Sequence, residues 1–307
     1  MRSVLGAVVA RLPAAPGVYR FRDERGRTLY VGRASVLRQR VGSYWGDLRD
    51  RRHLRRMVPQ IARIEAVACD SVHEASWLER NLLERAKPRW NRIRGGTEVP
   101  VYIRLDRTAR APRLSVEHWP VSSGSGDDFG PYLGGTQARL AVSALDRVLP
   151  LRYTDDRLAG GLKDLARVRG VDVSDRERLL STVAGVLHRR RDDIETVHAQ
   201  LVHLRGRASE NLAFEMAARL QSEIEALAWI SAEQKVTPLL PAGDAEAHGW
   251  DDGLLVTFRI RGGRLSGWEQ RRCGRPAAQP YLERTPPAWS AFAARAAELG
   301  RRLTDAG

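Results

Sequence analysis

Two short tyrosine-bearing segments, Gly17-Val18-Tyr19 and Tyr30-Val31-Gly32, most constrain how this chain can fold. Arg25-Gly26-Arg27 lies between them as a turn, so residues 12 to 22 and Thr28 to Gly32 read as paired strands of a hairpin. A helix is expected from about Ser35, as N-cap, to Trp45, and a second basic one from Arg49 to Met57, stopped near Pro59. Ile61 to Cys69 reads as a third strand. Asp70 or Ser71 then caps a helix from Val72 to Ala86, ended by Lys87-Pro88. A hairpin followed by alternating helix and strand is α+β material.

Beyond it, 99 to 106 and 112 to 118 suggest strands, Pro120 to Asp128 a linker, and Gln137 to Val148 a helix. Residues 175 to 230 are patterned almost wholly as helix. Thr237 to Gly249 reads as a second linker before a hairpin (Leu254 to Ile260, Leu265 to Gln270) and a final helix from Ala288 to Leu303. The 307 residues therefore divide into 12–96, a connector 97–170, a helical region 171–235, and a hairpin with helix over 236–307.

The third helix carries the first chemical hint. Ala75, Leu78, Leu82 and Ala86 mark its buried face, and Glu79 lies beside that stripe. A carboxylate there needs a cation or hydrogen-bond donors. A divalent metal and an arginine partner both satisfy it. Arg33, Arg40 and Tyr44 follow at i, i+7 and i+11, and are expected along one side of the first helix. That suits either a phosphodiester held by guanidinium forks or a solvated basic face. The formal charge of +14 favours polyanionic partners, although nearly all of it comes from arginine, with lysine only at 87, 163 and 235. Cys69 and Cys273 are too few for a disulfide framework or a zinc knuckle, no apolar run is long enough to span a bilayer, and no signal peptide is expected. These features suggest a reduced, cytoplasmic protein.

Taken together, these blocks resemble the GIY-YIG nuclease superfamily. Leu12-Pro13, Pro16 to Arg20, Leu29 to Ala34, Arg40 to Tyr44, Glu74-Ala75 with Leu78-Glu79, and Lys87 to Asn91 resemble, in order and spacing, the N-terminal domain of the UvrC excision-repair nucleases. The resemblance implies a metal-dependent endonuclease of nucleotide excision repair, making one incision beside a lesion, on the 3′ side. Glu79 would be the ligand of one Mg²⁺ or Mn²⁺ and Tyr30 the general base, with positive charge needed nearby because a free phenol titrates at about 10. Arg40 would stabilise charge on the phosphate. Tyr19 and Tyr44 would position water or phosphate, and Asn91 would orient the site. Arg33 stands where that family has a lysine; it keeps the charge but cannot shuttle a proton. Arg33 and Arg40, with Arg51 and Arg52 on the basic helix, would contact DNA.

Asp128 to Tyr132 and Val148 to Arg152 extend the resemblance, but Tyr153-Thr154-Asp155-Asp156 replaces the family's cysteine cluster, so no iron–sulfur cluster is expected. The segment 201 to 227 is similar to the UVR motif, a helical hairpin that engages a UvrB-like helicase subunit. Leu212, Phe214, Glu215, Ala218 and Leu220 would form that contact, or else serve this chain's own core. The second, RNase H-like nuclease domain is not expected. The length is comparable to the short repair nuclease family Cho, from which a UVR-like segment departs. Other expectations are a nuclease for branched or mobile-element DNA, and a non-catalytic DNA-binding adaptor.

Overall fold

The computed structural model describes residues 2–46, 49–95, 98–107, 112–120, 126–238 and 242–305, excluding the side chains of 2–4 and 49–51. Two compact units account for the chain: one joins 1–97 to 233–307, and the other is 98–232. Residues 12–96 and all of 236–307 thus share a unit, as do nearly all of 97–170 and 171–235.

The first unit begins with α1 (Arg2–Ala10) and a three-stranded antiparallel sheet in the order β2 (Thr28–Ala34), β1 (Gly17–Arg22), β3 (Arg63–Ala68). Gly17 lies opposite Ala34 on one side and Ala68 on the other. A Cβ at Gly17 would strike the Val67 carbonyl and come within 2.7 Å of Leu37 Cδ1, so this strand start tolerates no side chain. The expected hairpin is present.

The helix expected over 35–45 is shorter. α2 covers Leu37–Gly42, and Ser43–Trp45 is a 3₁₀ turn. Ser35 does not cap it; Val36 occupies the cap position without a side-chain bond. The loop before β1 serves instead, because the Leu37 and Arg38 amides donate to the Ala15 and Pro13 carbonyls. Arg33 is consequently in β2 and Tyr44 in the 3₁₀ turn, so the shared helix side expected for Arg33, Arg40 and Tyr44 does not exist. Arg49–Arg56 is likewise 3₁₀. α3 (Val72–Arg85) is capped by Ser71, whose hydroxyl accepts the Glu74 amide at 3.0 Å.

The C-terminal part of this unit is a sheet in the order β7 (Ala245–Asp251), β8 (Leu254–Arg261), β9 (Arg264–Arg272), followed by α9 (Arg275–Leu282) and α10 (Pro287–Thr304). The expected linker over 237–249 therefore contains a strand, and the expected hairpin is a three-stranded meander. β7 pairs with β8 throughout, and Ala247 is fully buried. Leu299 and Leu303 of α10 enter the same core as Leu12, Tyr19, Phe21, Val41 and Ile64.

The second unit holds a sheet in the order β5 (Arg113–Glu117), β4 (Pro100–Asp106), β6 (Gly126–Leu133). β6 starts inside the expected 120–128 linker; 121–125 lie outside the described residues. Helices α4 (Gly135–Val148), α5 (Gly161–Val168), α6 (Arg176–Leu187), α7 (Arg191–Glu210) and α8 (Phe214–Ser231) complete it. Its core joins Ile103, Leu105, Ala141, Leu145, Val183, Leu201 and Leu227.

Candidate active site

Alternation along β1 divides its side chains between two faces of the sheet. Tyr19 and Phe21 share one face with Tyr30 of β2 and with Tyr44. The Tyr19 and Tyr44 hydroxyls are 2.7 Å apart and buried, and Tyr30 hydrogen-bonds into the pair through Tyr44. Ring centroids of Tyr19, Tyr30 and Tyr44 lie 5.9–6.3 Å apart, in the range of favourable aromatic contact. Small neighbours make room for the cluster: Tyr19 lies opposite Gly32 on β2 and Ala66 on β3. A Cβ on Gly32 would come within 2.6 Å of the Tyr19 hydroxyl and 2.7 Å of the Tyr30 ring. The glycine of the second tripeptide is thus required by the tyrosine of the first. A cavity of 480 Å³ bounded by Val9, Tyr44, Trp45 and Arg55 adjoins the cluster.

Arg40, half-buried on α2, holds its guanidinium 5.8 Å from the Tyr44 ring centroid and hydrogen-bonds Tyr19. It is the cation of the cluster. Arg33 and Glu79 form a second pair. The Glu79 carboxylate accepts the Arg33 backbone amide at 3.2 Å and sits 3.5 Å from its Nε. The Arg33 guanidinium also donates to Ser76, one turn before Glu79 on α3. Ser76 was missed in the sequence, although its i−3 spacing from Glu79 puts both on one helix face. Asn91 does not reach the phenols. Its amide oxygen accepts the Val31 N–H at 3.0 Å and its nitrogen donates to the Val31 carbonyl at 2.8 Å. It fixes the backbone between Tyr30 and Gly32.

All three phenols are held protonated. Burial, then the Tyr30 charge, pushes Tyr19 up against lowering by Tyr44 and Arg40; burial and Tyr19 push up Tyr44. Tyr30 is raised by burial first, then by Tyr44 and by the charge of Glu79, and Arg40 offsets this only in part. The positive charge expected to favour a Tyr30 phenolate is therefore outweighed in the resting site.

Glu79 fits a hard divalent cation in donor type. Its side chain is 21% exposed, so it keeps solvent access. Among the described residues there is no cluster of three or more His, Cys, Asp or Glu able to hold a metal. A single carboxylate suits Mg²⁺, which retains several waters and takes one or two carboxylates plus substrate phosphate.

The remaining expected contacts are dispersed. Arg52 is exposed in the 3₁₀ stretch, and the Arg51 side chain lies outside the described residues. Between α7 and α8, Leu212 (72% exposed, at φ +56°) and Phe214 (65%) project outward with Glu215 and Ala218. Leu220, expected on a partner surface, is instead buried in the core of its own unit, because it faces inward on α8.

Comparison with known proteins adds the following. The UvrC-like GIY-YIG domain family matches residues 15–92. UvrABC system protein C of Synechococcus elongatus is 33% identical over 281 residues, covering 86% of this chain and 43% of that protein. Its counterpart in Rhizobium meliloti is 31% identical over 308 residues, covering 95% and 44%. The chain thus spans less than half the length of these curated relatives. Among solved structures, the GIY-YIG N-terminal endonuclease domain of UvrC from Thermotoga maritima, bound to its catalytic magnesium, is 26% identical, with a TM-score of 0.27. It covers 30% of this chain and 99% of that one.

Proposed function

We propose, from the premise that this chain carries a UvrC-like GIY-YIG domain and is a homologue of UvrABC system protein C, that it is a metal-dependent DNA endonuclease of nucleotide excision repair. The observation that carries this reading is the placement of a solvent-accessible carboxylate, Glu79, against Arg33 in the same small domain as the Tyr19–Tyr44–Arg40 cluster.

Glu79 would hold one Mg²⁺ or Mn²⁺, which when bound activates water and offsets charge on the leaving oxygen. Arg40, already oriented by Tyr19 and Tyr44, stabilises charge developing on the scissile phosphate. Arg33 both anchors Glu79 and lends a second guanidinium to the phosphate oxygens. Tyr30, once it has released its own phenol proton to solvent, accepts the proton of the attacking water. Glu79's charge helps keep the Tyr30 proton in place, so neutralising that carboxylate eases Tyr30 toward its basic form. Asn91 holds β2 in register beneath Tyr30.

The substrate is a lesion-bearing duplex, cut once on the 3′ side, in the cytoplasm. The exposed Leu212 and Phe214 at the α7–α8 turn are the contact for a UvrB-like helicase subunit. Arg52 and Arg51 add backbone contacts. No iron–sulfur cluster forms part of this reading.

The test is incision of a lesion-bearing duplex with Mg²⁺, with and without a UvrB protein, comparing wild type with Glu79→Gln. Wild-type cutting that Glu79→Gln abolishes is expected. Equal cutting by both removes the metal assignment, and no cutting by wild type under either condition removes the nuclease.

A further inference from the structure

The second unit carries its own concentration of positive charge. One face of α4 presents Arg139, Asp146 and Arg147, at i, i+7 and i+8. Arg152 follows in the 3₁₀ turn Leu151–Tyr153, and Arg169 caps the C-terminal end of α5. These residues and Tyr153 line one concavity of 350 Å³.

The four guanidinium groups are not equally committed. Arg147 is neutralised by Glu223, its Nε and Nη2 donating at 2.7 and 2.8 Å to a carboxylate with no exposed surface. Arg152 pairs with Asp146 at 3.1 Å, the one acid lining the concavity. Arg169 donates at 3.3 Å to the Arg147 carbonyl and shares the charge of Asp146 with Arg152 at longer range. Neither Arg139 nor Arg169 has a carboxylate within ion-pair distance among the described residues. Tyr153 is buried and collects two of the cations, with Arg169 at 5.4 Å and Arg152 at 6.0 Å from its ring centroid. Two guanidiniums drawn over one ring repel each other, and a single acid cannot neutralise both. The hollow is left with more fixed positive charge than its own acids match.

We infer that this concavity is a phosphate-binding site for the backbone of duplex DNA, separate from the site built on Glu79 and Arg40. Guanidinium forks match phosphodiester oxygens. Tyr153 is only 7% exposed, so its ring has little surface on which a base could stack. The site therefore anchors the backbone without reading sequence. It rests on the nuclease reading only for the choice of DNA as the polyanion.

The test measures binding by the full chain to a labelled undamaged duplex, and separately to a labelled single-stranded RNA, without divalent metal, by anisotropy across a salt series. Arg139→Gln/Arg169→Gln removes two phosphate contacts and is expected to make the slope of log K against log salt shallower by roughly 1.8. Arg139→Lys/Arg169→Lys keeps the charge and is expected to restore the slope. Unchanged slope and affinity in the Gln pair overturn the inference. So does a loss confined to single-stranded RNA, which would make the ligand RNA. Because no cleavage is needed, an intact salt effect in a chain that never cuts upholds this site while the nuclease reading falls. Cutting with no salt effect in the Gln pair does the reverse.

Discussion

Within the first unit, two carboxylates meet arginine on opposite terms. Glu65 on β3 is 2% exposed and faces Arg20, its cross-strand neighbour on β1. Arg20 Nε lies 2.5 Å from one oxygen. Arg22 and Arg63 approach the other at 2.8 and 3.2 Å, the Arg22 contact being an ion pair without hydrogen-bond alignment. Arg20 also donates to the Trp268 carbonyl at 2.9 Å, with its guanidinium 4.0 Å from the Trp268 ring centroid. Burial pulls Arg20 down to about 10 against the Glu65 charge that raises it, so it stays charged at neutral pH. Glu79 meets the Arg33 amide and guanidinium and keeps solvent access, with its side chain 21% exposed. Charge density does not mark the chemistry here. Glu65, which meets three arginines, is sealed into the fold, whereas Glu79, the proposed metal ligand, stays in reach of solvent.

Replacing each carboxylate tests that contrast most strongly. Glu79→Gln is expected to lower incision by about a thousandfold or more, the scale of losing a preorganised charge-stabilising group. Its urea midpoint should stay near that of wild type. A large shift in midpoint would make Glu79 as structural as Glu65. Glu65→Ala strands three guanidiniums, two of them largely buried, and should destabilise the unit by about 3–5 kcal/mol in denaturant melts. If stability changes by less than about 1 kcal/mol, the pairs act as solvated surface pairs and the contrast disappears.

Asn91→Ala leaves both Val31 backbone groups without their amide partner and should cost about 1–3 kcal/mol. Incision should fall with a rise at KM smaller than the fall in kcat, since the substitution loosens Tyr30 rather than a substrate contact. A further prediction concerns pH. Tyr30 is raised above the ordinary phenol value, so below about 10 its basic form is the minor one. Single-turnover incision should therefore rise by about tenfold per pH unit between neutrality and pH 9. A flat profile would remove Tyr30 as the base.

Much of the site was legible because local geometry wrote it into short segments. Gly17 and Gly32 are read correctly as strand glycines, and both are forced by close approach. Glu79 beside an apolar stripe pointed to a partner, and it has one. Arg33 was misplaced because the spacing argument assumed a helix beginning at Ser35. The amides that Ser35 was to cap are instead taken by Ala15 and Pro13, a contact with no sequence mark. β7 was hidden by Pro238, Pro241 and Gly243 just ahead of it, and its strand character comes from pairing with β8. The grip of Trp268 on Arg20 spans 248 positions and leaves no periodic trace.

That long reach has a kinetic consequence. α3 receives the segment after residue 232 through Asn81, which donates to Val236 and Thr237 across 155 and 156 positions, and through Glu74, which accepts the Lys235 amide across 161. The intervening stretch includes the compact second unit, so these contacts close over a long and largely folded detour. Topologies dominated by such distant pairings assemble slowly. The hairpin with the tyrosines can form from neighbours in the chain. The helix bearing Glu79 gains its full set of partners only after a detour of some 150 residues has been closed, so the two halves of the site mature on different clocks.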